Sequence, residues 1–223
     1  MNEITYRTWT KQDGSAIEAL ISDSFHLEQY VPEPRVLAQL KHTYLQSCLA
    51  EQTFARVAVR DGRPVGVIMC NAKGRYRLLP HLPALWATLW HQLRMSAASR
   101  RYGCSTESFH QMHRIYHSLT AGRAQRYDGV LTLFAVDKAC RGAGIGRELL
   151  HQAEAYLTDC GVRRIYLYTD STCNTAFYDC HGFSRADRRA FSSAVPGSTE
   201  EASMSVYLYE KQYPEEEPPC GSP

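Results

Sequence analysis

Between residues 133 and 150 the chain reads Leu133-Phe134-Ala135-Val136-Asp137-Lys138-Ala139-Cys140-Arg141-Gly142-Ala143-Gly144-Ile145-Gly146-Arg147-Glu148-Leu149-Leu150. An apolar run of strand character enters a turn with glycines at 142, 144 and 146, and the turn opens directly onto a helical pattern. Glycine permits φ > 0 and lets backbone approach a ligand closely. The first turn of a helix leaves N–H groups free at the positive end of the helix dipole. The pattern therefore predicts an anion site, most naturally for a pyrophosphate.

Three phosphate-binding motifs compete for this stretch. A Walker loop needs Gly-Lys-Ser/Thr after the last glycine, whereas Arg147-Glu148 follows here. A dinucleotide GxGxxG starting at Gly142 needs its third glycine at position 147, which is Arg. What remains resembles the Q/R-x-x-G-x-G/A acetyl-CoA pyrophosphate loop of the GNAT superfamily of N-acetyltransferases, matched by Arg141, Gly144 and Gly146. A tight strand-to-helix turn without a ligand would use the same glycines. The resemblance is extended further along the chain, where a strand near Ile165 to Thr169 precedes Asn174-Thr175-Ala176-Phe177-Tyr178-Asp179-Cys180-His181-Gly182-Phe183. This is similar to the Asn-bearing short helix and Gly-Phe ending that follow the loop in that family.

The resemblance implies an α/β fold: a central mixed sheet flanked by helices, with a helical insertion between the third and fourth strands. It implies an N-acetyltransferase in which an amine attacks acetyl-CoA directly in a ternary complex, without a covalent enzyme intermediate. Cofactor contacts would come from backbone at Phe134, Ala135 and Val136, from the loop Arg141, Gly142, Ala143, Gly144, Ile145, Gly146 and Arg147, and from Asn174. Tyr178 matches the family tyrosine that protonates the departing thiolate; packed core aromatic is its bland alternative. A non-catalytic acyl-CoA-binding or nucleic-acid-binding module would keep the loop, but Tyr178 and Asn174 favour the enzyme. No recognised nucleic-acid motif supports the second of these.

An ammonium acceptor must lose a proton before it attacks. Many family members place an acidic residue on the strand before the loop, but here that strand carries Val130, Leu131, Thr132 and Leu133. Candidates for the base are Asp128, Glu107, Asp170 and the histidines His110, His113 and His117. At 100° per residue these three histidines fall within about 60° of arc on one helix, where substrate contact is a second role and a solvated or partly packed helix border the bland alternative. With no Cys beside them and only Glu107 near, they predict no metal site.

The elements that must position these groups follow from periodicity. Ile4, Tyr6 and Thr8 suit a first strand, Asp13 is a candidate N-cap for a helix bearing Ile17, Leu20, Ile21 and Phe25, and a second helix runs from about Pro34 to Ala50. Asp61-Gly62 between two apolar runs predicts a hairpin. Two inserted helices follow. The first carries Leu82, Leu85, Trp86, Leu89, Trp90 and Leu93 on one face, with the Trp pair expected in the core; the second carries Phe109, Met112, Tyr116 and Leu119. Strands at 129–136, 164–168, 183–191 and 204–209, and a helix bearing Ile145, Leu149, Ala153 and Leu157, complete the pattern.

The 223 residues are expected to form a single domain over 1–213, with the insertion at about 74–127 and a disordered acidic and Pro-rich tail at 214–223. The net charge of +2 conceals an asymmetry: residues 73–126 hold nine Lys and Arg against one acid, a net +8 that leaves −6 for the remainder. Arginines of this segment are expected to reach the acceptor cavity or the cofactor phosphates, which would favour an acidic small-molecule or peptide amine. The longest strongly apolar stretch, Leu82 to Trp90, is about half the ~20 residues of a membrane span. With no signal-peptide pattern and eight cysteines but no CxxC pair, a cytoplasmic protein with reduced thiols and no membrane partner is expected, and a homodimer is compatible with the sequence.

Overall fold

The computed structural model describes residues 3–194 and 201–214, so the expected tail lies outside the described residues from position 215 onward. Seven strands form one sheet in the order β1-β2-β3-β4-β5-β7-β6. These are β1 (Ile4–Thr8), β2 (Phe54–Arg60), β3 (Arg63–Ala72), β4 (Gly129–Val136), β5 (Arg164–Asp170), β6 (Ser184–Ala194) and β7 (Glu201–Gln212). The helices are α1 (Gly14–Phe25), α2 (Leu27–Tyr30), α3 (Pro34–Glu51), α4 (Leu78–Tyr102), α5 (Glu107–Thr120), α6 (Ile145–Asp159) and α7 (Thr175–Cys180). Only β4 and β5 run parallel; every other neighbouring pair is antiparallel. The sheet is thus mixed, with α4 and α5 inserted between its third and fourth strands, as expected.

The hairpin between β2 and β3 turns on Asp61 (φ 52°) and Gly62 (φ 75°), the two successive positive values that a tight two-residue turn requires. Asp13 does precede α1, but its carboxylate does not cap that helix. It turns back to accept two 2.7 Å bonds from Arg7 and further bonds from the Thr10 amide and hydroxyl, tying β1 to the start of the helix.

One core joins α1 and α3 to the sheet through Ile17, Ile21, Leu40, Leu45, Val57 and Val67. On the opposite face α6 buries Ile145, Leu149, Ala153 and Leu157 against Ile68, Ile165 and Tyr209. A smaller cluster seats α5 on β6 and β7 through Leu119, Phe191, Val206 and Leu208.

α4 departs from expectation. Its Leu/Trp stripe does not enter the core: Trp86 is 69% exposed and Trp90 56%. The helix instead packs on α3 through Ala84, His91, Met95, Ala98 and Tyr102, with His91 Nδ1 3.0 Å from Gln39 Oε1. Small Ala side chains on this inner face let the two helices approach, which turns the opposite, bulkier face outward.

Candidate active site

β4 and β5 pair only at Gly129 with Ile165 and Val130 with Tyr166, and beyond these residues the strands separate. The cause lies on the other edge of β4. Met69 pairs with Leu133 and Cys70 with Leu131, so Thr132 is skipped in the backbone register and its hydroxyl donates to the Met69 carbonyl oxygen at 3.1 Å. Such a bulge bends its strand and increases the local twist. Residues two apart on a strand ordinarily share a face, yet Leu131 packs with the α6 core and Leu133 with the α1 and α3 core. At the root of the gap, a Cβ on Gly129 would stand 2.8 Å from the Asn71 carbonyl oxygen, so only glycine fits there.

A cavity of about 840 Å3 occupies the gap. Its floor is β4 from Val130 to Val136, including Phe134 and Ala135, and one end is formed by the glycine turn. Gly144, at φ 79°, starts α6, and no side chain caps that helix. The first α-helical bond there runs from the Glu148 amide to the Gly144 carbonyl oxygen. Gly142, Gly144, Ile145 and Gly146 line the cavity with Lys138, Arg141 and Arg147, whose cations have no carboxylate partner among the described residues. Ala143 is exposed and does not line it.

α7 brings Asn174 and Tyr178 to the same cavity. Asn174 stands at the N-cap of α7 with its side chain uncommitted to capping. The Tyr178 ring is surrounded by Phe134, Phe177, Phe183 and Tyr209 at centroid distances of 5.7 to 6.4 Å. Its hydroxyl has no hydrogen-bond partner among the described residues. Burial first, then Cys173 and Asp170, push the phenol above its ordinary value of 10.0, so it stays protonated across the physiological range.

The far end of the cavity is built by α3 and α5. His113 and His117 line it, whereas His110 does not. Desolvation where the exposed His113 lines the cavity, followed by the neighbouring His117 and His110, holds its imidazole below its ordinary value. Glu51, the last residue of α3, is exposed as a whole yet lines the cavity, whose walls desolvate its carboxyl and raise it above the ordinary carboxylate value while His117 pulls it back. Aromatic walls surround this end: Tyr116 stacks on Tyr168 at 4.5 Å, and Tyr168 meets Thr120 Oγ1 at 2.9 Å.

The other proposed bases are occupied differently. Asp170 lines the cavity but accepts from the Thr172 amide and hydroxyl at 2.7 and 2.5 Å. Asp128 accepts from the Arg163 and Arg164 amides at 3.0 and 3.1 Å, a purely structural tie into β5. Glu107 is exposed and paired with Arg114 at 2.6 Å.

The profile of the acetyltransferase (GNAT) family matches residues 17–183, well over half of the chain and spanning the splayed strands, the glycine turn and α7. The chain belongs to the GNAT acetyltransferase family. Solved structures similar in fold include an N-acetyltransferase from Staphylococcus aureus (15% identity, covering 94% of this chain and 98% of that chain, TM-score 0.54). A ribosomal-protein-alanine N-acetyltransferase from Brucella melitensis is also similar (16% identity, 94% and 99% covered, TM-score 0.55), as is the protein SsHAT (21% identity, 96% and 100% covered, TM-score 0.59). No curated protein matches the sequence.

In this GNAT acetyltransferase one expectation fails outright. None of the nine cations of residues 73–126 lines the cavity. Arg114 and Arg123 pair with Glu107 and Asp187, and the α4 arginines are exposed on the outer helix. The insertion presents Phe109, Met112, His113, Tyr116, His117 and Thr120 to the cavity instead, all on one side of α5, so the +8 charge does not describe the acceptor site. Glu51 was missed because it closes an otherwise ordinary helix, and only the tertiary fold carries it to the cavity. Lys138 carried a readable signal, a cation just ahead of the glycine turn. Among the described residues no group of three or more His, Cys, Asp or Glu is arranged to hold a metal.

Proposed function

We propose that this protein transfers an acetyl group from acetyl-CoA to a primary amine by direct attack within a ternary complex. The observation that carries the reading is the gap between β4 and β5, which ends at an uncapped helix start and contains the free Tyr178 hydroxyl. The residues fit the cofactor. A diphosphate suits the unpartnered cations of Lys138, Arg141 and Arg147 beside the first-turn amides of α6. An extended amide-bearing arm suits the unpaired edge of β4, and a Cβ on Gly146 would crowd Phe134 and Phe177 at 3.4 Å.

Acetyl-CoA, when bound, supplies the acetyl thioester. The backbone of Phe134 and Val136 orients its arm, Asn174 contacts the pantetheine or phosphate region, and the loop from Arg141 to Arg147 holds the pyrophosphate. Glu51 accepts the proton that the ammonium must lose, and His117 or His113 passes it toward solvent. A carboxylate whose affinity for protons is raised is a better base than an ordinary one. As the new N–C bond forms and the C–S bond breaks, Tyr178 donates its proton to the departing sulfur.

The acceptor that fits is an amine rather than a strongly acidic molecule. Glu51 and Asp170 attract an ammonium, and the faces of Tyr116, Tyr166 and Tyr168 suit a cation or an apolar stem. The reading treats residues 1–213 as one catalytic domain acting in the cytoplasm, a setting in keeping with the seven described cysteines, all unpaired.

Calorimetric titration with acetyl-CoA tests the site. Saturable binding is expected, weakened about tenfold or more in Gly146→Val; absence of binding to the parent protein would overturn the reading.

A further inference from the structure

The outward face of α4 has no role in the chemistry and is the most unusual surface of the molecule. Leu78, Leu79, Leu82, Leu85, Leu89 and Leu93, with Trp86 and Trp90, are each between 38% and 78% exposed. At 100° per residue they fall within about 140° of arc, diametrically opposite the face that packs on α3. Eight large apolar side chains in one stripe exceed the few hundred Å2 of contiguous apolar surface that a soluble monomer ordinarily leaves open. The helix spans roughly 37 Å.

Its charge surroundings point to the occupant. From residue 73 to residue 106 the chain contains Lys73, Arg75, Arg77, Arg94, Arg100 and Arg101 and no acid. All six cations are exposed, and none has a carboxylate partner among the described residues. Three precede the first turn, Arg94 borders the stripe along the helix, and two close the last turn. A second copy docked on this face would bring one such set of cations against another, because both ends of the helix carry the same sign. An anionic lipid surface offers the opposite charge to both ends and an apolar phase to the Leu/Trp stripe between them. None of the described helices is long and apolar enough to cross a membrane, and a helix lying in the interface, its apolar face about 5–10 Å deep, need not be.

We propose that α4 is an in-plane membrane-docking helix that seats this enzyme on anionic bilayers through its Leu/Trp face, with the six flanking cations contacting lipid phosphates. Because α3 lies between α4 and the sheet, docking engages a surface separate from the β4–β5 gap.

Co-sedimentation of the full-length protein with vesicles tests this, using phosphatidylcholine alone and phosphatidylcholine with roughly 30% phosphatidylglycerol. Binding to the anionic vesicles is expected, about tenfold or more above binding to the neutral ones and weakened by salt. The pair Trp86→Glu and Trp90→Glu should abolish it, and the triple Arg94→Glu, Arg100→Glu and Arg101→Glu should reduce it by about tenfold or more. These side chains are exposed, so circular dichroism should show both variants folded and acetyl-CoA binding should equal that of the parent. No sedimentation of the parent, or unchanged sedimentation of the folded Trp variant, would overturn the proposal. So would a dimer that the Trp variant abolishes in a parent protein that fails to bind vesicles, a result that assigns the face to a second copy.

Discussion

Val130 and Tyr166 are the last residues that join β4 to β5. Beyond them β4 remains bonded to β3, so its free edge faces the cavity and not a neighbouring strand. An interior sheet edge is costly unless something satisfies its N–H and C=O groups. A ligand with its own amides, laid along that edge, resolves the cost.

Gly144 adopts φ 79° at the start of α6, a conformation that a β-branched residue resists by about 1–2 kcal/mol. Gly144→Val is therefore expected to lower the melting temperature by about 2–8 °C and to weaken acetyl-CoA binding. Thermal melts and calorimetry read the two effects separately.

Tyr178→Phe removes a hydroxyl that has no structural hydrogen bond to lose, so stability and acetyl-CoA affinity should stay near those of the parent. Loss of a general acid typically costs about 100-fold or more in kcat. Steady-state kinetics at saturating acetyl-CoA provides the check, and an unchanged kcat would remove Tyr178 from the mechanism.

Glu51 carries a raised carboxyl, and the sign of its contribution is definite. A carboxyl raised on folding favours the protonated folded state: its stabilising contribution is present below the unfolded value and is lost as pH rises through the folded one. Glu51→Gln should therefore hold or raise the melting temperature at neutral pH while lowering kcat/KM. In the parent, kcat/KM should climb with pH through a midpoint above the ordinary carboxylate value; the variant should lack this limb.

Asp13 behaves in the opposite sense. Hydrogen bonds from Arg7 hold its carboxyl down to about 2, with Thr10 contributing and burial opposing. The resulting stability is full above the unfolded carboxylate range and is lost as pH falls through 2. Asp13→Asn should cost about 1–2 kcal/mol at neutral pH, a value reduced for the solvent around Arg7. Urea melts at pH 7 and pH 2.5 should show that the gap between variant and parent narrows in acid.

Most of the fold was readable because its elements obey local rules: period-2 strands, an Asp-Gly hairpin, glycines at a strand-to-helix turn. The glycine loop and α7 were legible for the same reason, since each is a short contiguous segment. Glu51 was not, because its place depends on where α3 ends relative to α5, a relationship between segments more than fifty residues apart. The α4 stripe is legible in the sequence as one face of a helix, but periodicity cannot say whether that face meets protein or solvent. Small residues on the opposite face decided it by packing on α3. The +8 segment misled in a similar way: charge counted along the chain does not reveal that α5 turns its aromatic and histidine side to the cavity.

Thiol release from acetyl-CoA, measured across a panel of primary amines with the parent protein and with Tyr178→Phe, separates an enzyme from a binding module. Turnover with at least one amine, acetylation of that amine in the product, and a loss of about 100-fold in the variant are expected. Tight acetyl-CoA binding without turnover on any amine would contradict this and leave a binding module in place of an enzyme.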